Sequence, residues 1–209
     1  MFLLIYLLFV ITYALSSYVC FIIDMTYSKT RIDGMQANKL LILYQKYLPC
    51  VAFNVIVLPI PSIYLVSSTF PIISRSLTIY NFLTEMILTY FLADFLFYIL
   101  HRILHIQSFY KHIHYIHHRV RNPIGMAALY AHPLEIYMGN IFPLFLPAYL
   151  IMTNTFTFCV WMFAIIVETV ITSHSSYQNM SEFHDNHHKL YRYNYGLDIF
   201  MDRLFGTRI

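Results

Sequence analysis

Eleven histidines stand in this chain of 209 residues, and none lies in its first hundred positions. Three groups of them have spacings that metal chemistry uses. His101-Arg-Ile-Leu-His105 sets two imidazoles at i and i+4, on one face of a helix. His114-Tyr-Ile-His117-His118 sets three rings within an arc of about 100° on an α-helix, so all three can converge on one centre. His184-Asp-Asn-His187-His188 repeats that geometry. At this histidine frequency one His-x-x-His-His string has a chance expectation of roughly 0.03, so two copies are a built feature. Asp94 lies two turns before His101 and shares its face, His132 opens a long apolar stretch, and His174 closes it. His112 falls opposite the arc of its neighbours and reads as an ordinary core or surface residue.

Imidazole suits zinc, copper, iron and nickel. One ion takes about four to six ligands, so eight to ten histidines imply two ions, or one ion with a rich outer layer of rings. Cys20, Cys50 and Cys159 lie in apolar stretches without a spacing pattern, which argues against a disulfide scaffold and a cysteine zinc site. The zinc-protease string His-Glu-x-x-His is absent, because Arg102 follows His101 and Asp185 follows His184. No Gly-x-Gly-x-x-Gly fingerprint marks a flavin or nicotinamide site.

The elements that must carry these rings are membrane helices. Apolar residues make up 59% of the chain and charged ones 11%, against about 25% charged in soluble domains. Spans are expected over 1–23, over 48–73 with an interruption at Pro59 and Pro61, and over 83–100. Residues 134–173 read as a helical hairpin turning at 153–155, which either spans fully or dips in and returns. The first stretch lacks a basic leader and exceeds the ~7–15 residues of a signal-peptide core, so it reads as an uncleaved helix. With this topology twelve of the thirteen basic residues fall on one side, with Arg75 alone on the other. The positive-inside rule makes that side cytosolic, and both histidine clusters lie on it. The fold expected is all-α and integral to the membrane: three transmembrane spans and a hairpin, capped on the cytosolic side by a His-rich helical metal-binding domain. A net charge of +3 does not suggest a nucleic-acid partner.

At these residues the sequence resembles the sterol desaturase/fatty acid hydroxylase superfamily of membrane non-haem di-iron oxygenases. The resemblance runs from about Asp94 to Thr207 and rests on the three histidine motifs in order. Pro123-Ile124-Gly125, Tyr130-Ala131-His132-Pro133-Leu134-Glu135 and Asp202-Arg203-Leu204-Phe205-Gly206-Thr207 also look like the family. Glu182-Phe183-His184-Asp185 and Asn194-Tyr195-Gly196 point to the fatty acid hydroxylase domain-containing proteins related to the C-4 methylsterol oxidases. The resemblance implies a catalytic domain over 83–209 behind N-terminal membrane helices and a cytosolic loop over 1–82. It implies two iron ions held by His101, His105, His114, His117, His118, His174, His184, His187 and His188. Asp94, His132 and Glu135 would orient the ligand rings, with His132 also a candidate tenth ligand.

The implied reaction uses O₂ to hydroxylate an unactivated C–H bond of a lipid drawn from the bilayer, a sterol foremost. The implied electrons come from NAD(P)H through cytochrome b5 or its reductase, and the implied location is the endoplasmic reticulum. Arg119, Arg121, Lys189 and Arg192 flank the histidines, where they would dock an acidic carrier or anchor to anionic headgroups. The rival readings are a fatty acid or sphingolipid hydroxylase or desaturase, a non-catalytic metal- or sterol-binding protein, and a metal transporter. A transporter would want histidines or several acids deep in its spans, and only Glu85, Asp94, Glu135 and Glu168 interrupt them.

Overall fold

Helix α1 (Phe2–Tyr27) buries Ile5, Phe9, Tyr13, Ser16, Cys20 and Asp24, at steps of three and four residues. Its other face exposes Leu4, Leu7, Ile11 and Leu15. So large an apolar face is stable against lipid tails and not against water. The computed structural model describes residues 1–27, 34–69, 77–120, 123–151, 154–177 and 181–209. Lys29, Arg31, Arg75 and Arg121 of the topology argument, and Thr153 of the expected turn, lie outside these residues.

The described residues are mostly helical and include five helices long and apolar enough to cross a membrane. After α1 come α2 (Ala37–Ile56) and α3 (Pro59–Thr69), which together make the second candidate span. That span starts at Ala37, well before the expected residue 48, so Lys39 and Lys46 ride on the helix itself. The break falls where the prolines predicted it: α2 ends at Ile56, and Pro59 opens α3, a position where its missing N–H costs little.

Helix α4 (Ile79–Leu104) is capped by Thr78, whose Oγ1 accepts from the Asn81 N–H at 3.1 Å. It leads into a short helix α5 over 107–118, which winds as a π-helix across Tyr110–His114. The hairpin is two helices of spanning length, α6 (Pro133–Ile151) and α7 (Thr155–Thr172). Asn154 caps α7 through the Phe156 N–H, and its own N–H donates to Glu85 of α4 at 2.9 Å. Helices α8 (Glu182–Leu190) and α9 (Ile199–Leu204) complete the order.

Helix α4 packs on α6, while α1 packs on α2, α3 and α7. A 3₁₀ turn at Gly125–Leu129 lies against α1, α2 and the end of α7. It needs its glycine, because a Cβ at Gly125 would stand 2.5 Å from the Cys20 Sγ. Two side chains inside the bundle satisfy its backbone: Tyr13 donates to the Met126 carbonyl (2.6 Å), and the Asn54 amide donates to that of Leu129 (2.8 Å). At the other end of α1 the buried Asp24 accepts from Tyr44 of α2 and from Tyr177, each at 2.8 Å. These polar ties fix α1 and α2 against the segments that follow the histidine motifs.

Candidate metal centre

Nine histidines from four places meet in two groups. His101 and His105 come from the last turn and C-cap of α4, and His114, His117 and His118 from α5. His174 follows α7, and His184, His187 and His188 lie on α8. His101, His105, His114, His118 and His187 form one group, and His117, His174, His184 and His188 the other. Within each group the candidate ligand nitrogens all lie within 4.8 Å of one another.

Neither His-x-x-His-His motif serves a single centre, as the helical arc had suggested. In each motif the first and last histidines share a group and the middle one joins the other group. The arc itself explains the division. Residues i and i+4 point about 40° apart on a helix, whereas i+3 and i+4 point about 100° apart.

In the five-histidine group the Nε2 atoms face each other: His101 to His114 at 3.1 Å, His114 to His105 and to His118 at 3.0 Å, His187 to His118 at 3.2 Å. In the four-histidine group His188 lies 3.1 Å from both His117 and His184, and His174 lies 3.4 Å from His117. The opposite ring atoms fix the tautomers. Nδ1 donates to the Tyr195 carbonyl from His101 (2.8 Å), to Tyr193 from His187 (2.7 Å) and to Thr169 from His174 (2.8 Å). His114 Nδ1 donates to Glu135 Oε1 at 2.8 Å. With the proton assigned to Nδ1, each Nε2 turns a lone pair inward.

That donor set fits a metal. Lone pairs crowded at one point repel unless a cation takes them. Imidazole binds at about 2.0–2.1 Å, so neighbours at right angles around one ion stand about 2.9 Å apart, close to the spacings here. An all-imidazole set suits iron, zinc, copper or nickel.

The groups are also held neutral. Burial pushes the imidazoles of His114, His118, His184, His187 and His188 far below their ordinary range, and neighbouring rings push the same way. Burial lowers His117 to about 4 and His174 to about 3. The sign of the pH dependence follows. Below the ordinary 6.5 an unfolded chain takes up protons that the folded chain refuses until the pH falls through about 4 at His117. The metal-free protein is therefore expected to keep its full stability above pH 6.5 and to lose it steadily toward pH 4. A ligated metal shifts in the same direction, because only neutral imidazole binds it. Thermal midpoints at pH 7.5 and 5.5, with and without chelator, check this; equal midpoints would contradict it.

The sequence placed the rings, but most of their anchors are backbone carbonyls, which carry no residue signature. Two carbonyls belong to the loop around Asn194-Tyr195-Gly196. Asp202 holds that loop by accepting from the N–H groups of Tyr195 (2.9 Å) and Gly196 (2.6 Å), and Thr207 Oγ1 donates to the same carboxylate. Asn194 sits in the left-handed region at φ 58° and donates from its amide to the Phe183 carbonyl. The closing motif of the chain thus holds the loop that orients His101 and His187.

Of the three residues expected to orient rings, Glu135 is bonded to one. Asp94 touches none, and its Oδ1 accepts from the Leu197 N–H at 2.9 Å, so it acts on the loop. His132 stands outside both groups, where its Nδ1 accepts from the Leu134 N–H as a helix cap. His112 is exposed and also outside them.

An apolar cavity of about 1090 Å³, counted with its open mouth, has His101, His114, His117, His174 and His184 in its lining. Its walls come from α1, α4, α6 and α7, with Phe9, Phe97, Leu144 and Ile166 among them. All three π-helical turns, Tyr110–His114, Ile136–Ile141 and Glu168–Thr172, contribute residues to this cavity, the first through His114.

No solved structure matches the chain. The human fatty acid hydroxylase domain-containing protein 2 is 34% identical over 133 residues, which are 62% of this chain and 40% of that protein. The very-long-chain aldehyde decarbonylase GL1-11 of Oryza sativa subsp. indica is 39% identical over 142 residues, 60% of this chain and 53% of its own. A Dictyostelium discoideum protein named provisionally as a methylsterol monooxygenase is 37% identical over 131 residues, 56% of this chain and 48% of its own. The chain spans about half the length of the curated relatives it matches. The family model for fatty acid hydroxylase matches residues 86–207, from the first third of α4 to the Thr207 that braces the histidine loop, and the chain belongs to that family.

Proposed function

We propose that this protein is a membrane-bound non-haem di-iron monooxygenase that hydroxylates an unactivated C–H bond of a lipid, a sterol foremost. The observation that carries the reading is that both inward-facing imidazole groups contribute rings to the lining of one apolar cavity. His101, His105, His114, His118 and His187 would hold one iron, and His117, His174, His184 and His188 the other. The iron pair, when bound, would supply activation of O₂ and removal of hydrogen from the lipid carbon.

The chain's own contribution is placement. Phe97 and Leu104 of α4 and Ile165 and Ile166 of α7 make apolar walls beside the histidines, which would accept a hydrocarbon frame. Tyr193, Tyr195, Thr169 and Glu135 keep their rings in one tautomer and one direction. The catalytic unit is the segment 83–209, facing the cytosol from the endoplasmic reticulum. Phe9 and Tyr13 of α1 close its cavity from outside that segment.

The electrons would come from NAD(P)H through cytochrome b5 or its reductase. Arg119, Lys189 and Arg192 are exposed around the histidine helices and suit an acidic carrier; Arg121 lies outside the described residues. Reversing Lys189 and Arg192 to glutamate is expected to slow reduction by cytochrome b5 about tenfold at low salt and to flatten its salt dependence. An unchanged salt dependence, read by stopped flow, would remove this docking face.

The reaction is tested by incubating the iron-loaded protein in bilayers with NADPH, reductase, cytochrome b5, O₂ and a 4-methylsterol. A product heavier by one oxygen, labelled from ¹⁸O₂, is expected. Loss of two hydrogens without oxygen gain would make the protein a desaturase, and no product from any lipid would overturn the enzyme reading.

A further inference from the structure

Three tyrosines pack around the five-histidine group, and metal ligation leaves their side chains without a task. The Tyr195 ring centroid lies 5.8 Å from that of His101, 5.1 Å from His105 and 5.5 Å from His187. Tyr110 lies 5.5 Å from His105, 6.1 Å from His114 and 5.6 Å from His118. Tyr191 lies 5.0 Å from His118. Every ring of this group therefore meets a phenol. Among the described residues no tyrosine ring meets His117, His174, His184 or His188, whose ring contacts are with other histidines. None of the three tyrosines lines the cavity, so none is placed to hold a lipid there.

Packing alone does not account for Tyr191. It closes α8 at φ 62°, in the left-handed region where glycine or asparagine is usual and a bulky side chain is strained. It is 38% exposed and stands in sequence between the exposed Lys189 and Arg192. Its ring centroid lies 6.0 Å from that of Tyr110, edge to face. Tyr195, in contrast, leads inward, to the fully buried Tyr98 at 6.1 Å. We propose that Tyr110 and Tyr191 form a one-electron relay from the five-histidine centre to the protein surface, which discharges the centre when it is oxidised with no lipid to attack. The proposal rests on the oxygenase reading above.

A phenol gives up an electron more readily than an imidazole, and electrons tunnel between touching rings without motion of the chain. In the first step Tyr110 loses an electron to the oxidised centre and its hydroxyl proton to water, leaving a neutral phenoxyl radical. Tyr191 then gives Tyr110 an electron and a proton, and the radical moves outward. With hydrogen peroxide as the oxidant, one peroxide and two phenols give two waters and two phenoxyl radicals. At the surface a small anionic reductant, drawn by Lys189 and Arg192, returns a hydrogen atom to Tyr191. The test reads radicals and not turnover. Iron-loaded protein in lipid-free detergent receives hydrogen peroxide and is frozen for electron paramagnetic resonance, with and without ascorbate added after the peroxide. An organic radical is expected whose hyperfine pattern changes when the protein carries ring-deuterated tyrosine, and ascorbate should quench it. Tyr110→Phe/Tyr191→Phe keeps both rings for packing, so its iron content should match the wild type while the ascorbate-quenchable signal is lost. Any radical left on the buried Tyr195 should resist ascorbate. Peptide mass spectra of the double variant should show oxidised His105 and His118 that the wild type lacks.

A wild-type protein without a deuterium-sensitive radical, an undiminished ascorbate-quenchable signal in the double variant, or equal histidine oxidation in both would each overturn the relay. Iron is assayed in the same samples. A wild type that holds no iron would sink the oxygenase reading and the relay with it, whereas retained iron without a tyrosine radical would sink the relay alone.

Discussion

Replacing His118 by alanine is expected to cut turnover about 1000-fold or more while leaving the metal-free protein folded. Its Nε2 sits 3.0 Å from that of His114 and 3.2 Å from that of His187, near the middle of the five-histidine group. Loss of a partner that only orients a ligand costs about 10–100-fold in metal affinity or activity, so loss of a direct ligand costs more. The metal-free fold should not suffer in parallel. His118 makes no hydrogen bond through Nδ1 among the described residues, and removing it relieves the mutual repulsion of inward lone pairs. The thermal midpoint of the chelated variant should therefore match or exceed that of the chelated wild type. A fall of many degrees, with turnover lost, would mean that His118 holds the fold and not a metal.

Gly196→Ala should damage stability and metal binding together, although residue 196 is no ligand. A Cβ there would stand 2.6 Å from the Asp198 carbonyl oxygen, 2.9 Å from Asp94 Oδ1 and 3.0 Å from Asp202 Oδ2. Two of these atoms are the carboxylates that pin the loop, and the third is backbone, so no flexible side-chain end can swing away. Overpacking of this kind costs about 1–3 kcal/mol. The loop must shift, and the Tyr195 carbonyl that receives the His101 Nδ1 proton shifts with it. Metal affinity is expected to fall about 10–100-fold and the thermal midpoint to drop by several degrees. Wild-type metal affinity in Gly196→Ala would show that the loop is not what aims His101.

The histidine spacing made the site legible because metal ligation demands a residue type at a helical interval, and both can be read from letters. His101 and His105, or His114 and His118, are neighbours on any helix face. The partition of each His-x-x-His-His string between two groups was present in the same arithmetic, in the wide angle between its last two rings. The anchors were not legible. Tyr193, Tyr195 and Thr169 act through main-chain oxygens that every residue owns, and only the loop geometry set by Asp202, Asn194 and Gly196 aims them. Asp94 shares the face of His101 by helical periodicity, and what no periodicity signals is the loop N–H at Leu197 that its Oδ1 accepts from.

In the fold, hydropathy found the five membrane-length helices. It placed the second too late, because Lys39 and Lys46 looked like the end of a loop. In the structure they project from a helix that begins at Ala37 and buries Leu40, Tyr44 and Tyr47 on its other side.

The central claim is that the two imidazole groups hold two irons. The measurement that tests it most directly is the metal content of the purified protein beside His187→Ala/His188→Ala, which removes one ring from each group. About two irons per chain are predicted for the wild type, falling below one in the double variant. A single zinc per chain, or an iron content unmoved by the substitutions, would contradict the account.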